Sequence, residues 1–276
     1  MTLQLGELLE RVCRGIHDDV VDGVATGGSA TTIVDTNLAS KYTQNRFKDW
    51  VAFISRTTDG LSPQGKYGII SAYTVSSKTV TMATVTDAVG AGDEYALCKM
   101  TVPLYTLVKL CNDAMSALGL IWVRDTSLTV SGNTLLYTLP IATKGHRLGE
   151  VHLMNSEYQT LPAPGFEIVK AAGGTANSIR FHSQPDTSYP TIVINYAGMH
   201  PALTAYNSYV EESIHPELAV AACIERAFFW KAMPKQRKSD MANWQLAKSL
   251  LQEAQALHPI ERPVMDNHRL NFGIYN

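Results

Sequence analysis

The chain has 276 residues, 45% of them hydrophobic and 17% charged, with a net charge of −2. A chain this long folds as one large domain or two small ones and buries about 75% of its unfolded surface, so it needs no disulfide or metal staple. The near-neutral balance excludes a protein that grips nucleic acid mainly through phosphates, because that task needs a basic excess. Low charge density suits a surface that meets other protein.

Four cysteines, Cys13, Cys98, Cys111 and Cys223, lie in apolar or helical contexts without a CxxC pair. They read as reduced, buried thiols of a cytoplasmic protein. Glu7 and Glu10 interrupt the first residues, so no signal peptide is expected, and no apolar run reaches 18 residues, so no membrane span is expected.

Leu5, Leu8, Leu9, Val12 and Ile16 fall at helical spacing, with Thr2 as a cap and Asp18–Asp19 and Gly23 near the end. From Ala25 the texture changes. Thr31–Thr36, Trp50–Thr57, Lys66–Tyr73, Thr79–Val85 and Glu94–Leu97 read as short strands between Gly- and Ser-rich turns. They predict a small antiparallel barrel or sandwich.

Pro103–Leu118 predicts a helix with Pro103 in its first turn and Gly119 at its end. A second β region comes next, with strands expected at Leu128–Val130, Leu135–Leu139, Arg147–Met154, Phe166–Val169, Ser178–His182 and Thr191–Tyr196. Ser213–Ile214–His215–Pro216–Glu217 then opens a helix in which only Glu225 and Arg226 are charged between Leu218 and Trp230. Such a helix is covered on both sides, by its own core and by a partner such as another copy. Lys231, Lys235, Arg237 and Lys238 form a basic loop that suits a helix C-terminus. A last helix from Ser239 carries the stripe Met241, Trp244, Ala247, Leu251 and Ala254, and Pro259 and Pro263 forbid regular structure beyond it.

The fold expected is therefore α+β: a small helix bundle (1–24, 99–127 and 207–260), an inserted antiparallel β-barrel or sandwich (25–98), a second β region (128–206) and an extended C-terminal arm (261–276). Phe228, Phe229, Trp230 and Trp244 lie at helical spacing and are expected to pack at a subunit interface rather than stack on bases.

Chemistry finds little support. Gly23-x-x-x-x-Gly28-Ser29 has part of the spacing of a phosphate-binding loop, but lacks its lysine and runs from helix to strand. The eight histidines make no HxH or HExxH; His146 and His152 flank a strand and could approach His182. Asp18–Asp19, Asp93–Glu94 and Glu211–Glu212 are adjacent acids that point apart and read as solvated loop or cap residues. Ser29, Ser55 and Ser127 have no nucleophile-elbow context. No enzyme, metal or cofactor is expected.

Several segments resemble the head-to-tail adaptor (connector) proteins of tailed bacteriophages, including the larger tail tubular protein A-like adaptors. They are the early helix Leu3–Ile16, the entry Ala25–Thr26–Gly27–Gly28–Ser29–Ala30–Thr31–Thr32 with Val34–Asp35–Thr36, the helix segment Leu110–Cys111–Asn112–Asp113–Ala114–Met115, Tyr137–Thr138–Leu139–Pro140, and Ile214–His215–Pro216–Glu217–Leu218. The resemblance implies a virion structural protein of the neck, assembled in the host cytoplasm. It implies a ring of about twelve copies that matches the portal. It joins the portal protein to a tail terminator, tail tube or nozzle, and double-stranded DNA passes through it without sequence-specific binding. Arg262, Leu270, Phe272, Ile274 and Tyr275 would dock on the portal, with Phe272 and Tyr275 as anchors. Two other readings remain open. One is a terminator or a fibre-anchoring collar protein. The other is a glycan-binding or hydrolytic β module, for which Trp50, Tyr67 and Tyr73 are the aromatics to consider.

Overall fold

A computed structural model describes residues 3–143, 147–170, 177–205, 208–233 and 238–263. The chain is mixed α and β, with four helices and antiparallel sheets among the described residues. It divides into two compact units. One comprises Met1–Ala117 with Ala202–Pro259, the other Leu118–Pro201 with Ile260–Asn276.

The first unit starts with α1 (Leu5–Gly15), whose N-cap is Gln4 in a capping box with Glu7. Leu5, Leu8, Leu9, Val12 and Cys13 are buried on one face, as the helical spacing demands. The helix closes in a Schellman turn. Asp18 N donates to Cys13 O (3.0 Å), His17 N donates to Arg14 O (3.2 Å), and His17 takes the left-handed conformation (φ 61°) that glycine usually fills. The chain then enters β1 (Asp19–Val24), a strand not expected from the sequence.

Six further strands succeed it: β2 (Gly27–Ser29), β3 (Thr32–Val34), β4 (Val51–Arg56), β5 (Tyr67–Thr74), β6 (Thr79–Met82) and β7 (Glu94–Lys99). With β1 they form one sheet in the order β1-β7-β4-β5-β6-β3-β2. No ladder joins β1 to β2, so the expected barrel is corrected to an open sheet. The edge strands are nonetheless consecutive in the chain. A flat seven-stranded sheet would hold its outer strands about 29 Å apart, yet only Ala25 and Thr26 link β1 to β2. The sheet must therefore curl around its own core of Ile33, Phe47, Ile54, Ile70, Tyr73 and Leu97.

Strands β4 and β7 are apolar on both faces. Ala52, Ile54, Tyr95 and Leu97 point into the curled core. By the two-residue period, Val51, Phe53, Ala96 and Cys98 point the other way, where α1 packs on both strands. The helical side is completed by α2 (Leu104–Ala117), α3 (Pro216–Ala232) and α4 (Lys238–Leu257). Gly119 adopts φ 87° just beyond α2, as its position after the helix suggests. The loop after the second unit is tied to α2 by Asn112, whose Nδ2 donates to Leu203 O (3.0 Å) while its Oδ1 accepts from Leu203 N (2.7 Å).

The second unit contains β8 (Ile121–Thr129), β9 (Leu136–Thr138), β10 (Leu148–Met154), β11 (Thr160–Pro162), β12 (Phe166–Lys170), β13 (Asn177–Phe181) and β14 (Thr191–Gly198). They make a four-stranded sheet, β11-β10-β14-β8, and a three-stranded sheet, β12-β13-β9. Val151, Leu153, Ile192 and Ile194 of the first meet Tyr137, Ile179 and Phe181 of the second in one cluster.

Candidate subunit interface

The α3–α4 pair is built from opposite helix designs. Pro216 pre-sets the first turn of α3, and His215 Nδ1 accepts from Glu217 N (3.4 Å). The body of α3 is apolar nearly all round because α1, α2 and α4 of the same chain pack around it. Within the chain those helices cover much of α3.

The four aromatics expected at an interface have different places. Phe228 is buried, with the His17 ring 6.2 Å away and Lys231 Nζ over its face. Phe229 and Trp244 are half-buried and pack on each other at 5.4 Å. Trp244 Nε1 also donates to Glu225 Oε1 (2.6 Å), which pins α4 to α3. Trp230 is exposed, as is Met233 beyond it. Lys231, in the last turn of α3, reaches outside its own helix. Its Nζ donates to Thr101 Oγ1 (2.8 Å) and to Ile16 O (3.4 Å). Lys235 and Arg237 lie outside the described residues, as do Leu270, Phe272, Ile274 and Tyr275; Arg262 is described and exposed.

The expected stripe on α4 faces inward: Ala247 is buried, and Met241, Trp244, Leu251 and Ala254 are partly so. The helix also carries a second apolar row that the sequence reading does not anticipate. Leu246, Leu250 and Leu257 are 59%, 50% and 67% exposed. At 100° per residue they fall within about 40° of one another and about 120° from the inward stripe. Leu250 also enters a groove of about 200 Å³ shared with Val220, Ala221 and Ile224 of α3 and rimmed by Arg11 and Glu217. At the groove's end the His215 and His258 rings stack at 3.6 Å, and His258 Nε2 lies 2.9 Å from Glu217 Oε2, so the start of α3 holds the region just past α4. The leucine row is legible as i, i+4, i+11 spacing, but the longer inward stripe masks it.

Elsewhere, the acid pairs divide between core and surface. Asp18, Asp93 and Glu211 are buried, and Asp19, Glu94 and Glu212 are exposed. The expectation of solvated carboxylates therefore fails for the first member of each pair. Asp93 accepts from Thr58 N (3.0 Å) and Gly90 N (2.8 Å), which closes the turn before β7. His152 and His182 stand on β10 and just past β13, in different sheets, and form no ligand cluster among the described residues; His146 lies outside them. Gly23 to Ser29 lies in β1, β2 and their link, with no helix after it. Trp50 and Tyr73 are core residues and Tyr67 is half-buried, so they present no open stacking platform. A cleft of about 520 Å³ lies beside Trp50, where Arg46 and Lys41 sit over the Trp50 and Tyr42 rings, each at 5.4 Å, across from Asp19. No described helix is long and apolar enough to cross a membrane.

No protein-family model matches the chain, and no curated protein matches its sequence.

Proposed function

We propose that this chain is a structural protein of a tailed-bacteriophage neck. Copies form a ring that joins the portal to the tail terminator, tube or nozzle and lines the channel through which DNA passes. It acts by assembly and not by catalysis. In this reading the four helices are the packing core of the ring. The curled sheet is a domain inserted between α1 and α2, the two sheets of the second unit pack as a sandwich, and the C-terminal arm reaches the portal.

The observation that carries the reading is the outer face of α4. Three leucines at helical spacing stand exposed beside an apolar groove, on a helix whose inner face is already satisfied by α3. Large exposed apolar rows of this kind mark interaction surfaces. The order of helices and β modules is the one that the resemblance to adaptors implies.

Cryo-electron microscopy of the particle neck tests the proposal. A ring of about twelve copies directly under the portal supports it, since a closed cyclic ring packs such a row against a different patch of the neighbouring copy. Sixfold density makes the chain a terminator or tail component, and its absence from the particle overturns the neck assignment.

A further inference from the structure

The Schellman turn at the end of α1 does more than stop a helix. It folds Asp18 back beside Cys13, one turn from the helix end, and both meet Cys98 on the helix-facing side of β7. One donor atom from each lies within 4.8 Å of the other two. Both thiols are fully buried and Asp18 is 7% exposed.

The carboxylate is only half satisfied. Its Oδ1 accepts from Thr101 N (3.2 Å) and from the Thr101 hydroxyl. Its Oδ2 is buried without a hydrogen-bond partner. An unmatched buried oxygen is costly, and such groups call for a reason. Thr101 is itself fixed, since its hydroxyl accepts from Lys231 Nζ (2.8 Å). The acid is thus oriented by a chain of hydrogen bonds, as metal-binding carboxylates commonly are.

We infer that Cys13, Asp18 and Cys98 form a site for one zinc ion, which ties α1 and the turn after it to β7. Zinc takes thiolate sulfur at about 2.3 Å and carboxylate oxygen at about 2.0–2.2 Å in a tetrahedron. That geometry sets sulfurs about 3.8 Å apart and sulfur and oxygen about 3.5 Å apart, which the observed cluster reaches with small side-chain shifts. Two thiolates with one carboxylate favour this borderline-soft cation over calcium or magnesium, which take oxygen.

Binding releases the protons of both thiols to solvent. Without a cation, the hydrogen bond with the Cys98 thiol and burial push Cys13 far above the ordinary thiol range, and burial raises Asp18. A divalent ion at the centre reverses that preference, because a coordinating thiol is deprotonated outright. The site would make affinity fall as pH falls. It stands independently of the neck assignment.

The test uses the full chain, purified under reducing conditions, with metal content measured and cobalt then exchanged for zinc. The expected result is about one zinc per chain and, with cobalt, an intense near-ultraviolet thiolate-to-metal band. Asp18→Asn keeps the shape of the side chain and should weaken zinc binding by about tenfold or more; Cys98→Ser should remove most of the cobalt band. Because the wild-type spectrum needs no variant to fold, misfolding of Cys98→Ser leaves the test intact. A chain that takes up neither metal overturns the inference. So does cobalt bound without a thiolate band, which is what the surface group His215, Glu217 and His258 would give, or unchanged zinc affinity in Asp18→Asn.

Discussion

Tyr95 Oη donates to Asp35 Oδ2 at 2.7 Å inside the curled sheet, linking β7 to the segment after β3. Both residues are buried, and Asp35 Oδ1 accepts from Asn37 N (2.8 Å). Burial and the adjacent carboxylate push the Tyr95 hydroxyl well above its usual range, so it stays a donor at any physiological pH. Tyr95→Phe leaves Asp35 Oδ2 short of a partner in the core. The expected cost is about 2 kcal/mol, the scale of a hydrogen bond to a charged group. Urea unfolding should show a lower midpoint at an unchanged slope.

The Trp244–Glu225 bond gives a similar test on the helical side. Trp244→Phe keeps an aromatic face against Phe229 but removes the indole N–H that Glu225 accepts at 2.6 Å. A loss of about 1–2 kcal/mol is expected, because a charge-assisted bond is lost while packing is largely retained. Glu225→Gln retains an acceptor and should cost less. Equal losses in the two variants would show that packing rather than the hydrogen bond secures α4.

How far the sequence anticipates this structure depends on where the signal is local. Strands β4, β5 and β7 and helices α2 and α3 start within two residues of expectation, because turns and caps such as Asp59–Gly60, Pro103 and Pro216 mark them. Strand β1 escapes a local reading because its Asp-Val-Val-Asp-Gly-Val sequence sits at a sheet edge without clean alternation. Strand β8 runs longer than expected because Arg124, Asp125 and Ser127 interrupt its apolar pattern without ending the strand. The curl of the sheet rests on β1 pairing with β7, 70 to 80 residues away, which no local pattern reports. The site residues divide in the same way. The inward stripe of α4 follows from periodicity alone. The burial of Asp18 depends on His17 entering a conformation that its residue type disfavours, so its neighbour Asp19 makes both acids look solvated.

The exposed leucine row separates folding from assembly. Leu246→Glu and Leu257→Glu place charges on solvated positions of α4, so each should shift unfolding free energy by no more than about 0.5 kcal/mol. In the proposed ring the same changes would bury unpaired charge between copies. The double variant should remain a folded monomer by sedimentation and fail to enter the neck in particle assembly. Normal incorporation would remove the row from the interface.

His200 supplies a pH dependence in the second unit. Burial lowers its pKa below the ordinary 6.5, although Nδ1 lies 2.6 Å from Pro201 O. The unfolded chain therefore binds a proton more readily than the native one. The contribution to stability is complete above about pH 6.5 and is lost as pH falls towards the lower folded value. His200→Asn retains an N–H near the Nδ1 position but does not titrate. Its unfolding free energy should vary less than the wild type's between pH 7 and pH 5, whatever its absolute loss.

The C-terminal arm is the last link of the proposed assembly. Pro263 is buried, so the truncation is placed just after it. The deleted segment carries Leu270, Phe272, Ile274 and Tyr275, with two aromatics of the kind that dominate interface energetics. Deleting 264–276 should leave the thermal midpoint within a few degrees and abolish attachment to portal-bearing heads in pull-down or reconstitution. Phe272→Ala with Tyr275→Ala should reproduce most of that loss if these side chains are the anchors. Attachment that survives the truncation would shift portal docking to the helical face, where the leucine variants then become the deciding test.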